Sequence, residues 1–134
     1  MACTLRGCTF FGATLEGCKL TGSVLERCTL RPMTVRGGQW RGVGLVGAGL
    51  GGLDLTGLDL RDADLSDADL SRTGLREADL RGAVVRGARL GDADLRGARL
   101  EGSDLGRAVL RGTRLDLAGA VVLAEQSGAL VEPH

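Results

Sequence analysis

From Leu5 to Leu115 an apolar residue stands at every fifth position. Nineteen of these 23 centres are Leu, and the others are Phe10, Val35, Trp40 and Val85. Two residues before the centre lies a smaller side chain, Ala in ten units and Cys in four, and between the two comes a polar position that is often Asp. The stretch RDADLSDADLSRTGLREADL, Arg61 to Leu80, shows the pattern at its most regular. A period of five fits neither the 3.6 of a helix nor the 2 of a strand. On an α-helix, positions five apart diverge by about 140°, which would spread the leucines over every face. Small, polar, large instead reads as a short strand with two side chains in and one out, and the next two residues, Gly-rich or charged, read as a turn. One such unit cannot bury its leucine alone, so the units must wind about an axis and stack as a solenoid.

The irregular units carry their own expectations. Gly7, Gly12, Gly17, Gly22 and Gly82 suit corners with positive φ. Asp62, Asp67, Arg72 and Glu77 occupy four successive corners without Gly, which predicts another turn type there. Trp40 is too large for a leucine column and is expected to bulge its coil or to turn outward. Met33, Gly38, Val43, Leu53 and Leu58 replace Ala at the small position, so Met33 to Leu58 is predicted to be widened or kinked. Cys3, Cys8, Cys18 and Cys28 all fall in that small register, so they read as buried apolar side chains in a reducing compartment, not as a metal site or disulfide framework.

The units ADLSD, ADLSR, ADLRG and ADLRG, starting at Ala63, Ala68, Ala78 and Ala93, match the motif Ala-(Asp/Asn)-Leu-X-X, and the chain resembles the pentapeptide-repeat proteins from Cys3 to Leu115. The resemblance implies an all-β fold, a right-handed quadrilateral β-helix with four units per twenty-residue coil. At about 4.8 Å per coil, nearly six coils make a rod of roughly 27 to 28 Å. The period stops after Leu115, which divides the chain into a repeat region, 1–115, and a C-terminal helix and tail, 116–134. Asp116 is the predicted N-cap, Gly128 suits a left-handed C-terminal residue, and Leu117, Ala120, Val121, Leu123 and Ala124 supply apolar faces, followed by Leu130 in the tail. The gyrase-protecting, fluoroquinolone-resistance branch of the family ends in a comparable helix and apolar tail, which implies a homodimer joined through this cap. No cap is read before Cys3, so the first coil is expected to be open, covered by a mate or exposed by the chain's shortness, and Phe11 adds an outward apolar spot near that end.

Chemistry is sparse. The sole His is His134, at the last position, so no Ser/His/Asp or Cys/His set exists. The glycines from Gly42 to Gly57 keep the corner register and lead to no Gly-Lys-Ser or Gly-Lys-Thr, so they are structural and not a phosphate cradle. Carboxylates recurring on a convex surface build no cleft, so neither an enzyme nor a cofactor is expected. No leader-like opening or run of about 18 apolar residues occurs, which makes the cytoplasm the expected location and a membrane role unexpected.

Seventeen basic and seventeen acidic side chains cancel, yet they are banded. Met1 to Arg41 holds six basic and two acidic residues, Asp54 to Asp79 eight acidic and three basic, and Leu80 to Leu115 eight basic and four acidic. By the resemblance, the acidic belt of Asp54, Asp59, Asp62, Asp64, Asp67, Asp69, Glu77 and Asp79 would imitate DNA phosphates toward DNA gyrase or another type II topoisomerase and so protect it from quinolones or other poisons. The RPMTV segment at Arg31 and the GLDLTG run at Gly52 also resemble that branch. A general scaffold with another partner is the alternative. Direct nucleic-acid binding through Arg81, Arg86, Arg96, Arg99 and Arg111 is not expected, because no aromatic stripe accompanies them.

Overall fold

The computed structural model of the chain describes residues 4–6, 13–16, 21–26, 28, 33–36 and 38–132. Strand β1 (Thr4–Arg6) pairs in parallel with β3 (Val24–Glu26), Leu5 opposite Leu25, and β2 (Ala13–Glu16) pairs with β4 (Met33–Arg36), Leu15 opposite Val35. Single bridges continue the same offset of twenty residues, as in Gln39 to Asp59, Asp59 to Asp79 and Asp79 to Arg99. Four pentapeptides therefore close one coil of a right-handed quadrilateral β-helix. Face 1 carries centres 25, 45, 65, 85 and 105; face 2 carries 50, 70 and 90; face 3 carries 55, 75 and 95; face 4 carries 40, 60, 80 and 100.

The five-residue unit follows from where its N–H groups go. The centre donates to the outward residue of the next coil, as Leu65 does to the Val84 carbonyl at 2.7 Å. The outward residue donates back to the small residue of the previous coil, as Asp64 does to Val43 at 2.9 Å. The second corner residue donates to the next coil, Gly42 to Arg61 at 2.8 Å, and the small residue closes the turn onto the preceding centre, Ala63 to Leu60 at 3.1 Å. Only the N–H of the first corner residue has no place in this ladder. Inside, Leu45, Leu50, Leu60, Leu65, Leu70 and their stacked equivalents are buried, with Ala48, Ala63, Ala68, Ala78, Ala88 and Ala93 filling the narrower space at the corners.

Two sequence expectations are corrected. Asp62, Asp67, Arg72 and Glu77 adopt φ of 57 to 61°, the same left-handed corner as Gly42, Gly47, Gly52 and Gly57 at 65 to 77°. Ladder bonds to the coil beyond, such as Asp62 N–H to Arg81 at 3.0 Å, hold the shape whatever residue sits there. Trp40 neither turns outward nor interrupts the ladder. It is fully buried, its backbone N–H donates to the Asp59 carbonyl at 2.9 Å, and the adjacent small position is Gly38, with φ 125°. Its indole nitrogen has no hydrogen-bond partner. The section from Val43 to Leu58 keeps its register as well, with Gly44 bonded to Ser23 and Asp79 to Leu58. Cys28 is buried, in the small register, and forms no disulfide among the described residues. Cys3, Cys8, Cys18, Phe11 and the start of the first coil lie outside the described residues.

At the other end, side chains take over from backbone. Asp104 accepts the Val85 N–H through its carboxylate at 2.6 Å, and a 3₁₀ turn, Leu105–Arg107, replaces the usual corner. Helix α1, Leu117–Gln126, then lies across the last coil. Asp116 caps it by accepting from Gly119 N–H at 2.8 Å, while its second oxygen accepts from Gly97 N–H at 2.7 Å. Gln126 accepts from Gly106 N–H at 2.9 Å and donates to the Ser103 carbonyl. These two side chains occupy the positions a further coil would fill. Gly119 is buried against Leu100 and Leu115, and Val122 and Leu123 seal the core. The sealing side of α1 is therefore Gly119, Val122 and Leu123. Leu117, 86% exposed, and Ala120 face away, Val121 and Ala124 are half-buried, and Leu130 is 87% exposed; Gly128 has the predicted left-handed φ, 90°.

Candidate functional site

The outward Asp of the repeat has a local task before it has any partner. In six units its Oδ1 accepts the N–H of the first corner residue, the one donor the ladder omits: Asp54 from Thr56, Asp59 from Arg61, Asp64 from Ser66, Asp69 from Ser71, Asp79 from Arg81 and Asp94 from Arg96, at 3.1 to 3.2 Å. A short side chain that reaches its own backbone two residues on is what favours Asp at this position.

The side chain of that same corner residue decides how much negative charge remains. Where it is Arg, the guanidinium closes on the carboxylate through two bonds: Arg61 on Asp59 at 2.9 Å twice, Arg81 on Asp79 at 2.9 and 2.7 Å, and Arg96 on Asp94 at 2.9 and 2.7 Å. These hydrogen bonds hold the carboxyls of Asp59, Asp79 and Asp94 below the usual carboxylate range and raise the three arginines. Arg61 also lies 3.9 Å from Asp79, and Arg41 lies 3.3 Å from Asp62, so face 4 and its corner carry an alternating ion-pair ladder. Where the corner residue is Thr or Ser, the hydroxyl donates instead, Thr56 to Asp54 at 2.5 Å and Ser66 to Asp64 at 2.6 Å. The Thr56 bonds lower the Asp54 carboxyl without supplying a cation.

The eight belt residues thus encircle the rod. Asp64 is on face 1, Asp69 on face 2, Asp54 on face 3, Asp59 and Asp79 on face 4, and Asp62, Asp67 and Glu77 occupy three corners. Asp59, Asp62 and Asp79 are engaged by arginine, Asp69 has Arg89 at 3.9 Å, and Asp54, Asp64, Asp67 and Glu77 form no ion pair among the described residues. The sequence expectations miss these arginine partners although the signal is there: the triplet Asp-Leu-Arg occurs at Asp59, Asp79 and Asp94.

The interior between the leucine columns holds a cavity of about 10 Å³, lined by Leu65, Leu70, Leu75, Leu90 and Leu95 among others, and it is entirely apolar. Two open grooves of about 350 and 360 Å³ flank the Gln126 bridge, one lined by Asp104 and Arg107, the other by Glu101 and Glu125. Among the described residues no cluster of His, Cys, Asp and Glu is arranged to hold a metal ion, and no helix is long and apolar enough to cross a membrane.

Nothing matches among curated proteins. Among solved structures, the chain is similar to Rfr23, a pentapeptide repeat protein from the cyanobacterium Cyanothece 51142, at 24% identity over 85% of this chain and 88% of that one, with a TM-score of 0.72. It also matches full-length QnrB1, a plasmid-mediated fluoroquinolone resistance protein, at 15% identity over 96% and 98% of the two chains, with a TM-score of 0.40. HetL, a pentapeptide repeat protein involved in heterocyst differentiation regulation from Nostoc sp. PCC 7120, matches at 29% identity over 84% of this chain and 51% of that one, with a TM-score of 0.38. The family described as "Pentapeptide repeats" matches in eight copies over residues 2–31, 45–82, 73–112 and 88–120. With the twenty-residue register and the Asp-capped corners, that match makes this chain a member of the pentapeptide-repeat family.

Proposed function

We propose that this protein is a non-enzymatic binding rod that works in the cytoplasm, and that its partner is a type II topoisomerase such as DNA gyrase. The supporting observation is the distribution of carboxylates: Asp54, Asp64, Asp67 and Glu77 lie mid-rod on a convex, rigid β-helix and pair with no cation among the described residues, between two basic bands. A DNA-like rod docks in a basic groove through such charges, competes with the bound DNA segment or unsettles a drug-trapped cleavage complex, and makes no covalent bond. A second copy joined through the outward side of α1, Leu117 and Ala120 with Leu130, belongs to the same reading.

The test is gyrase supercoiling and DNA cleavage with a quinolone present, across a titration of the protein. Restored supercoiling with fewer trapped breaks is expected. Replacing Asp54, Asp64 and Asp67 by Asn and Glu77 by Gln should remove the protection, whereas Asp59→Asn with Asp79→Asn should remove less of it, because arginine already offsets those charges. Protection that survives in the folded quadruple variant would sink the DNA-mimic mechanism. The Arg-locked carboxylates and the zero net charge favour a second reading, a scaffold rod with a different protein partner, and an absence of any effect on gyrase would select it.

A further inference from the structure

On face 2 two successive rows carry charges of opposed sign. In the coil of Leu70 its outward positions carry Asp67, Asp69 and Arg72; in the next coil the corresponding region carries Arg86, Arg89 and Asp92. The sign is inverted from Asp69 to Arg89 and from Arg72 to Asp92, while at the other corner the charge passes from Asp67 to Arg86, one position earlier in its row. Asp69 and Arg89 stack within the chain only loosely, at 3.9 Å with the Arg89 side chain 62% exposed, and Arg72 and Arg86 make no ion pair among the described residues.

We propose that face 2 is a self-association surface on which a second copy of this chain docks antiparallel, about a twofold axis that runs along the strands midway between the rows of Asp69 and Arg89. Rotation about such an axis reverses the rod and keeps position along the strand, so each residue of the Asp69 row meets its counterpart in the Arg89 row of the mate. Asp69 then faces Arg89 of the second copy, Arg72 faces Asp92, and Asp67 lies beside Arg86. Symmetry repeats all three, since a twofold interface is isologous. No like charges meet.

The next rows out fit in shape as well. The rotation sets Val109, 52% exposed, opposite Gly49 of the mate and Arg111 opposite Gly51, so each of these projecting side chains meets a glycine. The same operation on face 4 places Arg76 opposite Arg96, and on face 1 it places Asp64 opposite Val84. On face 2, charge and bulk are thus self-complementary together over four rows.

Four rows at about 4.8 Å make the contact about 19 Å tall. A face so small falls short of the roughly 800 Å² per partner of a standard stable interface. The association is therefore dependent on concentration and, being carried by exposed ion pairs, on salt. It is independent of the topoisomerase reading and of the α1 contact.

Sedimentation equilibrium of the full chain tests it. With the α1 contact removed by Leu117→Glu and Leu130→Glu, dimer is expected at low ionic strength and monomer at about 0.5 M salt, where screening reaches only a few ångströms. Asp69→Arg alone and Arg89→Glu alone should each lose the dimer, because each sets like charges face to face. An equimolar mixture of the two variants should regain it: the arginine introduced into one copy meets the glutamate introduced into the other, and the unaltered Asp69 and Arg89 meet at the symmetry-related contact. Arg72→Glu, at a corner with no ion pair of its own, gives the same loss if either of the first two fails to fold by circular dichroism. A chain that stays monomeric at low salt, single variants that remain dimeric, or a mixture that stays monomeric would each overturn the proposal. A dimer dissolved by Leu117→Glu with Leu130→Glu but untouched at Asp69, Arg72 and Arg89 assigns the contact to α1 and rejects face 2.

Discussion

Residues 41–60 and 61–80 form consecutive coils with one backbone and two vocabularies. The first uses Gly42, Gly47, Gly52 and Gly57 at its left-handed corners and Gly44 and Gly49 on its faces; the second puts Asp62, Asp67, Arg72 and Glu77 at the corners and Asp64 and Asp69 on the faces. Left-handed φ costs an ordinary residue about 1 to 2 kcal/mol, so the second coil accepts strain four times where the first accepts none. The hydrogen bonds above and below are the same in both. Stacking therefore imposes the corner, and residue choice sets only its cost and the surface it displays.

If the two coils share a core and differ outside, truncating either interior should hurt alike. Leu50→Ala and Leu70→Ala, buried one above the other on face 2, are each expected to cost about 2 to 5 kcal/mol by urea denaturation. A markedly smaller loss at Leu50 would show that the glycine coil is also loosely packed inside. Exchange at one corner sharpens the contrast. Gly52 has nothing within 4 Å of an added Cβ, so Gly52→Ala meets conformational strain alone and should destabilise by about 1 kcal/mol. Arg72→Gly, one coil higher at the same corner, should stabilise by about 0.5 to 1 kcal/mol, the relieved strain less the added freedom of the unfolded chain. Equal signs for the two would refute a corner shape imposed by stacking.

The smallest effect is titration. Hydrogen bonds from Arg61 and Arg81 depress the carboxyls of Asp59 and Asp79 in the folded state, so their contribution is complete above the unfolded value near 3.9 and disappears as pH falls through the lower folded values. Both carboxylates are half-buried but their arginine partners are more exposed, which keeps the effect modest. Thermal stability should stay level from about pH 5 to 8 and decline below about pH 4. Asp59→Asn with Asp79→Asn should flatten that decline, and an unchanged slope would place the acid sensitivity elsewhere.

Much of this architecture is legible because apolar burial is periodic: every centre from Leu45 to Leu105 sits where the period of five puts it. The twenty-residue register was not readable from the period, since five divides a three-sided coil as well as a four-sided one, and it came from the ADLSD-type motif. The corners at Asp62 and Glu77 misled because local preference favours glycine there while the ladder, a contact twenty residues away, determines the outcome. Trp40 misled because its size was weighed without the residue at the adjacent small position, Gly38, which has no side chain. The charged belt was legible as composition only. Whether a carboxylate keeps its field depends on the residue two positions on, Arg after Asp59 and Ser after Asp64, and on which face of the coil receives it.

The side chains of Asp116 and Gln126 stand in for a missing coil, and that has a consequence for how such chains change length. Each rung presents the same edge to the next, so the terminating helix needs only the rung beneath it, whatever the number below. An in-frame duplication of residues 61–80 would lengthen the molecule by about 4.8 Å and leave both ends as they were. A gene encoding this architecture holds a ruler graduated in sixty-nucleotide marks, with its stop peg movable between them.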